Sequence, residues 1–469
     1  MRERPHALLF PPAPYTMGAR IAQALGADDA PPTHVRRFVP ATTRLKDETR
    51  VATLGRVFGA RVDELRRTAG AIKDHVLATL DQQLATFAAA AAARGVRVHA
   101  AADAAEARAV VLAIARARNV KRVVKAKSML SEEVQLLDAL LDAGIDTIET
   151  DLGELVLQLD DDAPSHLVTP MIHKDREAAA AAFARRLGVP HDSDPAVITK
   201  VARAHLRRWF ESADMGVTGA NFLVASTGEV VVCTNEGNGR LSANAPRVHV
   251  ALAGIEKLVP TPDHLALFLE LLARSSTGQP LTVYTTFCGG PREPGEPDGP
   301  DEVHVVLVDN GRTRVLADPT FRAALRCVRC GACLNACPVY RTIGGHAYGS
   351  VYPGPIGQVL TPLLRGLDAS PDLPFASTLC GACRPACPVD IDLPAMLVAL
   401  RARRPRRRGF LRLWAFLARG RFRWRLAAWL QRRLRPSLGW DVPGRRTLPR
   451  PAPRPFHATW RRILKRRTG

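Results

Sequence analysis

No stretch of this 469-residue chain reaches the roughly 18 uncharged apolar residues needed to cross a bilayer, so no membrane-spanning helix is expected. Met1 to Gly18 holds four prolines and no long apolar run, and no cleavable export signal is expected there. A dinucleotide fingerprint is missing as well: Gly237 and Gly239 lack the third glycine that a phosphate-cradling turn requires. His166, His173 and His346 have no metal-ligand spacing and are read as structural. Acidic residues vanish from the C-terminal end. Arg401 to Gly469 carries 22 Arg and one Lys against the single acid Asp441, whereas the other 400 residues hold 43 bases and 44 acids. The net charge of +21 therefore belongs to an appendage and not to the folded body.

What is present is cysteine in a pattern. Seven of the nine cysteines fall in two runs, Cys327-x2-Cys330-x2-Cys333-x3-Cys337-Pro338 and Cys380-x2-Cys383-x3-Cys387-Pro388. The first is the spacing that holds a cubane iron–sulfur cluster, and the second is the same run without its first cysteine. A disulfide framework suits short secreted chains, and a zinc ribbon uses two separated pairs, so both fit poorly. Cys233 and Cys288, outside the runs, read as small buried apolar residues.

In two-cluster ferredoxins the last cysteine of each run reaches the other cluster. That rule assigns Cys327, Cys330, Cys333 and Cys387 to cluster one, and Cys337, Cys380 and Cys383 to cluster two. Two iron–sulfur clusters are thus expected. Cluster two is one thiolate short, and the gap falls in register at Ser377. The first reading is a second 4Fe-4S cluster completed by Ser377 or water. The alternatives are a 3Fe-4S cluster or an open iron facing a partner, and Ser377 as an ordinary helix N-cap stays open. Arg326, Arg329 and Arg384 flank the ligands and would ease reduction by offsetting negative charge, unless solvent claims them.

Four regions are expected along the chain. Residues 1–53 are Pro- and Arg-rich and read as an irregular segment wrapping the next domain. Residues 54–315 read as an α/β domain, because β-like runs at Val96–His99, Val120–Lys125 and Ile145–Glu149 alternate with helical stretches at 104–117 and 131–143. Two strands, 221–225 and 229–234, joined by Ser226-Thr-Gly228, read as a hairpin, and runs at 248–253, 281–285 and 303–308 continue the sheet. Residues 316–400 form a helical cysteine module. Residues 401–469 are an Arg/Trp-rich tail with five of the six tryptophans and a helical pattern over 410–435. A basic tail of this kind suits an acidic partner or no specific role first, a membrane surface second, and nucleic acid least.

A ligand pocket is a further candidate. Thr234, Asn235, Glu236, Gly237 and Asn238 follow a strand, where open α/β sheets bind ligands, and Lys125 and Lys127 flank another strand end, placed to hold a carboxylate. Glycine turns with satisfied caps and solvated lysines are the plain alternatives.

Several stretches resemble a known family. Thr218-Gly-Ala-Asn221, Thr234-Asn-Glu-Gly-Asn-Gly239, Gly254-Ile-Glu-Lys-Leu-Val-Pro260, Lys127-Ser-Met129 and Glu149-Thr-Asp-Leu-Gly-Glu154 resemble the LUD domain of the lactate utilization family. The cysteine module, with Gly344-Gly-His-Ala-Tyr-Gly-Ser350, resembles the iron–sulfur half of the B-type members. The resemblance covers roughly residues 40–400. It implies a three-layer α/β domain like those of phosphosugar isomerases and CoA-transferases, followed by an α-helical ferredoxin module. It also implies a place in a three-protein complex oxidising L-lactate to pyruvate and supporting growth on lactate. Its implied partners are a cysteine-rich subunit like those of heterodisulfide reductase and a second LUD protein. Electron transfer is the expected role, and no catalytic residue is assigned. One alternative is that the LUD pocket itself oxidises the hydroxy acid, and another is a redox or iron sensor whose tail binds nucleic acid. Reduced cysteines imply a cytoplasmic site, with the inner membrane face as the place a basic tail would seek.

Overall fold

Runs of β-branched residues, too short for helices and separated by Ala/Leu-rich segments, build two sheets in the computed structural model, which describes residues 33–403, 408–434 and 456–467. The strands are β1 (Arg97–Ala101), β2 (Arg122–Lys125), β3 (Asp146–Glu149), β4 (Met215–Gly219), β5 (Phe222–Val224), β6 (Glu229–Thr234), β7 (Val248–Gly254), β8 (Leu258–Val259), β9 (Tyr284–Cys288) and β10 (Glu302–Val308). Six of them form an all-parallel sheet in the order β1-β10-β7-β4-β2-β3. Helices cover both faces, so the central strand β7 is buried at every position. The other four form a mixed sheet, β8-β5-β6-β9. Asp103, Asp151, Asp175 and Asp194 start helices by accepting N–H bonds from the first turn.

The expected strands are present, but three expectations change. The strands after Gly216 do not continue one sheet: β7 and β10 join the parallel sheet, while the β5–β6 hairpin and β9 make the second. Strand β4 was not foreseen, because Met-Gly-Val-Thr-Gly has two glycines and little β propensity. It forms because the helix Asn238–Asn244 lies directly on it, and a Cβ at Gly216 would sit 1.7 Å from the Ser242 carbonyl oxygen. Residues 33–53 are not irregular. Thr33–Phe58 is one helix containing Pro40, and its Val35 and Val39 are buried against the cysteine module. Residues 1–32 lie outside the described residues.

The α/β half and the cysteine half are not beads on a string. One hydrophobic core runs through residues 315 and 316 and includes Phe222, Val224 and Phe268 with Cys330, Tyr340 and Tyr348. The described residues up to Ala402 make one compact unit, and the described residues from Arg403 belong to another. Within the first unit the halves interlock around Ser165: the Tyr340 hydroxyl donates to its carbonyl at 2.7 Å and the Gly345 amide to its hydroxyl at 3.0 Å.

In the second unit the tail helix is broken. Arg408–Ala418 and Arg421–Leu434 replace the single helix expected over 410–435, with the interruption at Gly420, a poor helix former. Leu413, Trp414, Phe416, Trp424 and Trp429 are exposed on them. Trp414 meets Trp424 edge-on with ring centroids 6.5 Å apart. No described helix is long and apolar enough to cross a membrane.

A Cβ at residue 345 would lie 1.8 Å from the Ser165 carbonyl oxygen, so backbone must move to admit one. Gly345→Ala is expected to cost about 2–3 kcal/mol, at the upper end of overpacking penalties, measured as a lower denaturant midpoint. An unchanged midpoint would show that the halves are not tightly docked there.

Candidate functional site

The doubled cysteine run is doubled in backbone geometry too. Arg329 and Gly331 take positive φ of 61° and 76°, and their counterparts Leu379 and Gly381 take 55° and 85°. These left-handed residues fold each loop inward so that amides face sulfur. The Arg329 amide donates to Cys327 Sγ at 3.4 Å, and the Leu379 amide donates to Ser377 Oγ at 3.1 Å. Ser377 thus stands in the second loop where Cys327 stands in the first. It is not a helix N-cap, since the following helix, Cys383–Ala386, begins after Ala382.

The cysteines group across the runs. Cys333 has Cys327, Cys330 and Cys387 as its electrostatic neighbours, whereas Cys383 has Cys337 and then Cys380 ahead of Cys387. Burial pushes Cys330 and Cys383 up to about 12 and Cys387 up to about 11. Unaided, such thiols stay protonated, and only bound metal would hold them as thiolates. All nine cysteines are free of disulfides. Among the described residues no three cysteine sulfurs lie within 4.8 Å of one another, whereas thiolates on one zinc ion sit about 3.8 Å apart for ~2.3 Å bonds. That spacing does not match a single zinc ion. The Tyr340 and Ile391 amides also point at Cys337 and Cys387 sulfur, at 3.5 and 3.4 Å. Such N–H contacts to sulfur are one of the factors that set a cluster's potential.

Arginines brace these loops from outside. Arg66 donates to the Cys387 and Arg384 carbonyls, both at 2.7 Å. Arg401 donates to the Pro374 and Ser377 carbonyls, also at 2.7 Å. Of the three arginines expected to tune reduction, Arg326 pairs with Asp74 and Arg384 is exposed and pairs with Asp392 at 2.9 Å. Only Arg329 has a side chain withdrawn from solvent, 8% exposed, and it belongs to a charged chain leading into the α/β half.

That chain centres on Glu256, just after β7. Its carboxylate accepts from Arg312 Nε at 2.6 Å and from an Arg329 terminal nitrogen at 3.1 Å. Burial alone would raise Glu256, but Arg312 and Arg329 outweigh it and bring it down to about 2. Arg312 also bonds Glu133 at 2.8 Å, and the Arg329 guanidinium lies 4.7 Å over the Tyr352 ring. Lys73 donates to the Glu256 and Leu258 carbonyls from a fully buried position, and burial lowers it to about 7.

Beside this chain opens a cavity of about 320 Å³. Its walls include Lys127, Thr234, Asn235, Glu236, Asn238, Lys257 and Cys330. Four of the five turn residues and Lys127 are therefore gathered as expected. Gly237 is not part of the wall. It precedes the helix Asn238–Asn244 instead. The turn is also internally satisfied: Thr234 Oγ donates to the Glu236 carbonyl at 2.8 Å, and Asn235 bonds Gln279 at 3.0 Å. Burial raises Glu236, with Asp151 adding to the effect.

Lys125 does not reach the cavity. Strand β2 ends there and the chain turns, so two lysines in near-alternation part company. Its ammonium is fully buried, 2.9 Å from Glu132 and 2.6 Å from Glu149. Burial opposes its charge, but the two carboxylates hold it above the ordinary lysine range. Nearby Glu154 is pushed well up by burial and then by Glu149. His166 pairs with Asn335 at 3.2 Å, His173 with Asp162 at 2.9 Å, and His346 with the Ala163 carbonyl at 2.8 Å, and the ligand atoms of Asp162, His173 and His346 lie within 4.8 Å of one another, closer than their sequence spacing suggested.

Sequence reasoning missed Glu256, Lys257, Arg312, Ser276 and Tyr352. A signal existed for the first two, since charged residues directly after a strand as apolar as Val248–Gly254 stand at a sheet's C-terminal edge. Burial, and after it the nearby Arg329, lower Lys257 to about 8.

Comparison with known proteins agrees with this division. A family model described as the LUD domain matches residues 84–308, and one described as a 4Fe-4S dicluster domain matches residues 323–391. Lactate utilization protein B of Shouchella clausii (strain KSM-K16) is 47% identical over 337 residues, spanning 72% of this chain and 71% of that protein. Lactate utilization protein B of Bacillus subtilis (strain 168) is 46% identical over 337 residues, spanning 72% and 70%. The protein named uncharacterized electron transport protein YkgF of Escherichia coli (strain K12) is 48% identical over 336 residues, spanning 72% and 70%. A crystal structure of a DUF162 family protein from Deinococcus radiodurans covers 49% of this chain and 98% of its own, at 14% identity and a TM-score of 0.29.

Glu256→Gln leaves two buried guanidinium groups short of a carboxylate. It is expected to cost roughly 3 kcal/mol, read from denaturant unfolding. The pairing also has a pH sign. With a folded value of about 2 against an ordinary 4.5, its stabilisation is complete above about 4.5 and lost as pH falls through 2. The variant's acid unfolding curve should therefore be flatter over that window.

Proposed function

This chain belongs to the family of lactate utilization protein B, and on that footing we propose that it is the iron–sulfur electron-transfer subunit of a complex oxidising L-lactate to pyruvate. The observation that carries this reading is the crossed grouping of the cysteines, with Cys387 beside the first run and Cys337 beside the second. A single-ion site needs no such exchange, whereas two neighbouring clusters do.

Cys327, Cys330, Cys333 and Cys387 would hold one 4Fe-4S cluster. Cys337, Cys380 and Cys383 would hold the second, with Ser377 Oγ as its fourth donor. The matched N–H bonds to Cys327 Sγ and Ser377 Oγ support that role for Ser377. When bound, the clusters supply one-electron acceptance and release. The protein's share is to bury the sulfurs, to aim amides at them and to clamp both loops with Arg66 and Arg401. Cys380 is exposed while Cys330, Cys333 and Cys387 are buried, so the second site is the one accessible to a partner.

The partners proposed are a cysteine-rich subunit like those of heterodisulfide reductase and a second LUD protein. The tail helices, with exposed Trp and Leu among arginines, fit the surface of an anionic membrane at the cytoplasmic face.

Cys330→Ser is expected to remove about half of the iron and labile sulfide from anaerobically purified protein, and the paramagnetic resonance signal of one cluster. Full retention of iron would overturn the ligand assignment. Ser377→Cys is expected to leave the iron count unchanged and to alter the second cluster's spectrum, and an identical spectrum would remove Ser377 as its fourth donor. Deleting residues 404–469 is expected to leave iron content intact and to abolish cosedimentation with anionic vesicles. Vesicle binding that survives the deletion would place membrane contact elsewhere.

A further inference from the structure

A second cavity, of about 380 Å³, opens at the C-terminal end of β3 and shares no wall residue with the one beside the first cysteine loop. Three glutamates from three elements line it: Glu132 from the helix Met129–Glu133, Glu149 at the end of β3, and Glu154 from the helix Leu152–Leu159. They are 4%, 3% and 5% exposed. Four further acids, Asp138, Asp142, Asp161 and Asp162, stand on the same wall, and among the described residues no Lys, Arg or His does. Asp161 and Asp162 are paired with Arg186 and Lys174.

The three glutamates have one ammonium between them. Lys125 donates to Oε1 of Glu132 at 2.9 Å and to Oε1 of Glu149 at 2.6 Å. It is the one cation among the leading electrostatic neighbours of Glu154, and the others, Glu149, Glu132 and Asp151, are all acids. Glu149 Oε2 and both oxygens of Glu154 are buried and receive no hydrogen bond from a donor among the described residues. Ionised carboxylates only accept, so Glu149 and Glu154 can bond each other only with a proton held between them. Buried charges of this kind are costly unless they are paired or coordinate a metal.

One oxygen from each glutamate lies within 4.8 Å of those of the other two. Oxygens bonded to a single hard cation at about 2.0–2.6 Å stand about 3–5 Å from one another. We infer that Glu132, Glu149 and Glu154 form a binding site for one divalent cation of the Mg²⁺ or Mn²⁺ class, with Glu149 Oε2 and the Glu154 carboxylate as the ligands that Lys125 leaves open. A donor set of carboxylates, without imidazole or thiolate, suits these ions over zinc or copper. Such ions keep several waters when carboxylates bind them, and the cavity has room for those waters. Lys125 then serves as the outer partner that orients two of the ligands. The carboxyl end of a parallel strand is also where open α/β sheets bind ligands. The site lies wholly within the α/β half and does not depend on bound iron.

The test uses the anaerobically purified, cluster-loaded full chain. Free Mn²⁺ is counted by its room-temperature paramagnetic resonance during titration, and thermal unfolding is followed with and without Mn²⁺ or Mg²⁺. About one Mn²⁺ per chain is expected to bind with Mg²⁺ competing for it, and either ion is expected to raise the unfolding temperature. Glu154→Gln keeps the shape of the side chain, and its amide can donate to Glu149, so the variant should fold normally. It is expected to weaken Mn²⁺ binding roughly tenfold or more and to abolish the thermal shift, with iron content unchanged. His346→Gln alters the separate group of Asp162, His173 and His346 and is expected to bind Mn²⁺ as the unaltered chain does. The inference is overturned if the unaltered chain binds no Mn²⁺, if binding survives Glu154→Gln undiminished, or if it falls in His346→Gln instead. An iron-free preparation that still binds Mn²⁺ through Glu154 would sink the electron-transfer reading and leave this one standing.

Discussion

Glu256 holds the molecule together at its most demanding point. One carboxylate, buried after the central strand, takes Arg312 from the α/β half and Arg329 from the first cysteine loop. Removing these charges from water is expensive, and the arrangement is stable only because each guanidinium also meets a second group, Glu133 for Arg312 and the Tyr352 ring for Arg329. The consequence is positional. The loop that presents Cys327 and Cys330 cannot drift from the end of the parallel sheet without stranding a buried charge.

The rest of the first unit reinforces that docking with neutral contacts. Tyr340 and Gly345 close on Ser165, His166 meets Asn335, and the helix Thr33–Phe58 lies along the cysteine helices. One hydrophobic core is shared by both halves, and the α/β half holds further cores of its own, so it is the cysteine half that has no large interior apart from the shared one. This shared interior places a cavity wall and a cysteine loop side by side, an arrangement that separate domains on a linker would not produce.

Much was legible in the chain itself where chemistry is local. The spacing Cys-x2-Cys-x2-Cys-x3-Cys is short enough that loop geometry follows from it. The register that put Ser377 opposite Cys327 reappears in matching left-handed residues and matching amide bonds. The alternation of strands and helices marked the parallel sheet, because period and length are written in neighbouring residues. Strand β4 escaped because Gly216 makes room for a helix more than 20 residues away in sequence. The N-terminal helix escaped because Pro and Arg disguised a segment stabilised by the distant cysteine module.

The candidate pocket divides along the same line. Its strand-end turn and Lys127 are local features and were foreseen. Lys125 and Lys127 look equivalent in a string, but the end of β2 sends one ammonium to two buried carboxylates and the other to the cavity. By itself, the sequence marked the two cysteine runs and their matching register, because the cysteines of each run sit within a few residues of each other. Only the tertiary structure decided that Lys127 and Lys257 line one cavity with Arg329 and Cys330 of the first cysteine loop. Charge pairing in a buried site depends on residues brought together from across the chain, and no short-range pattern records it.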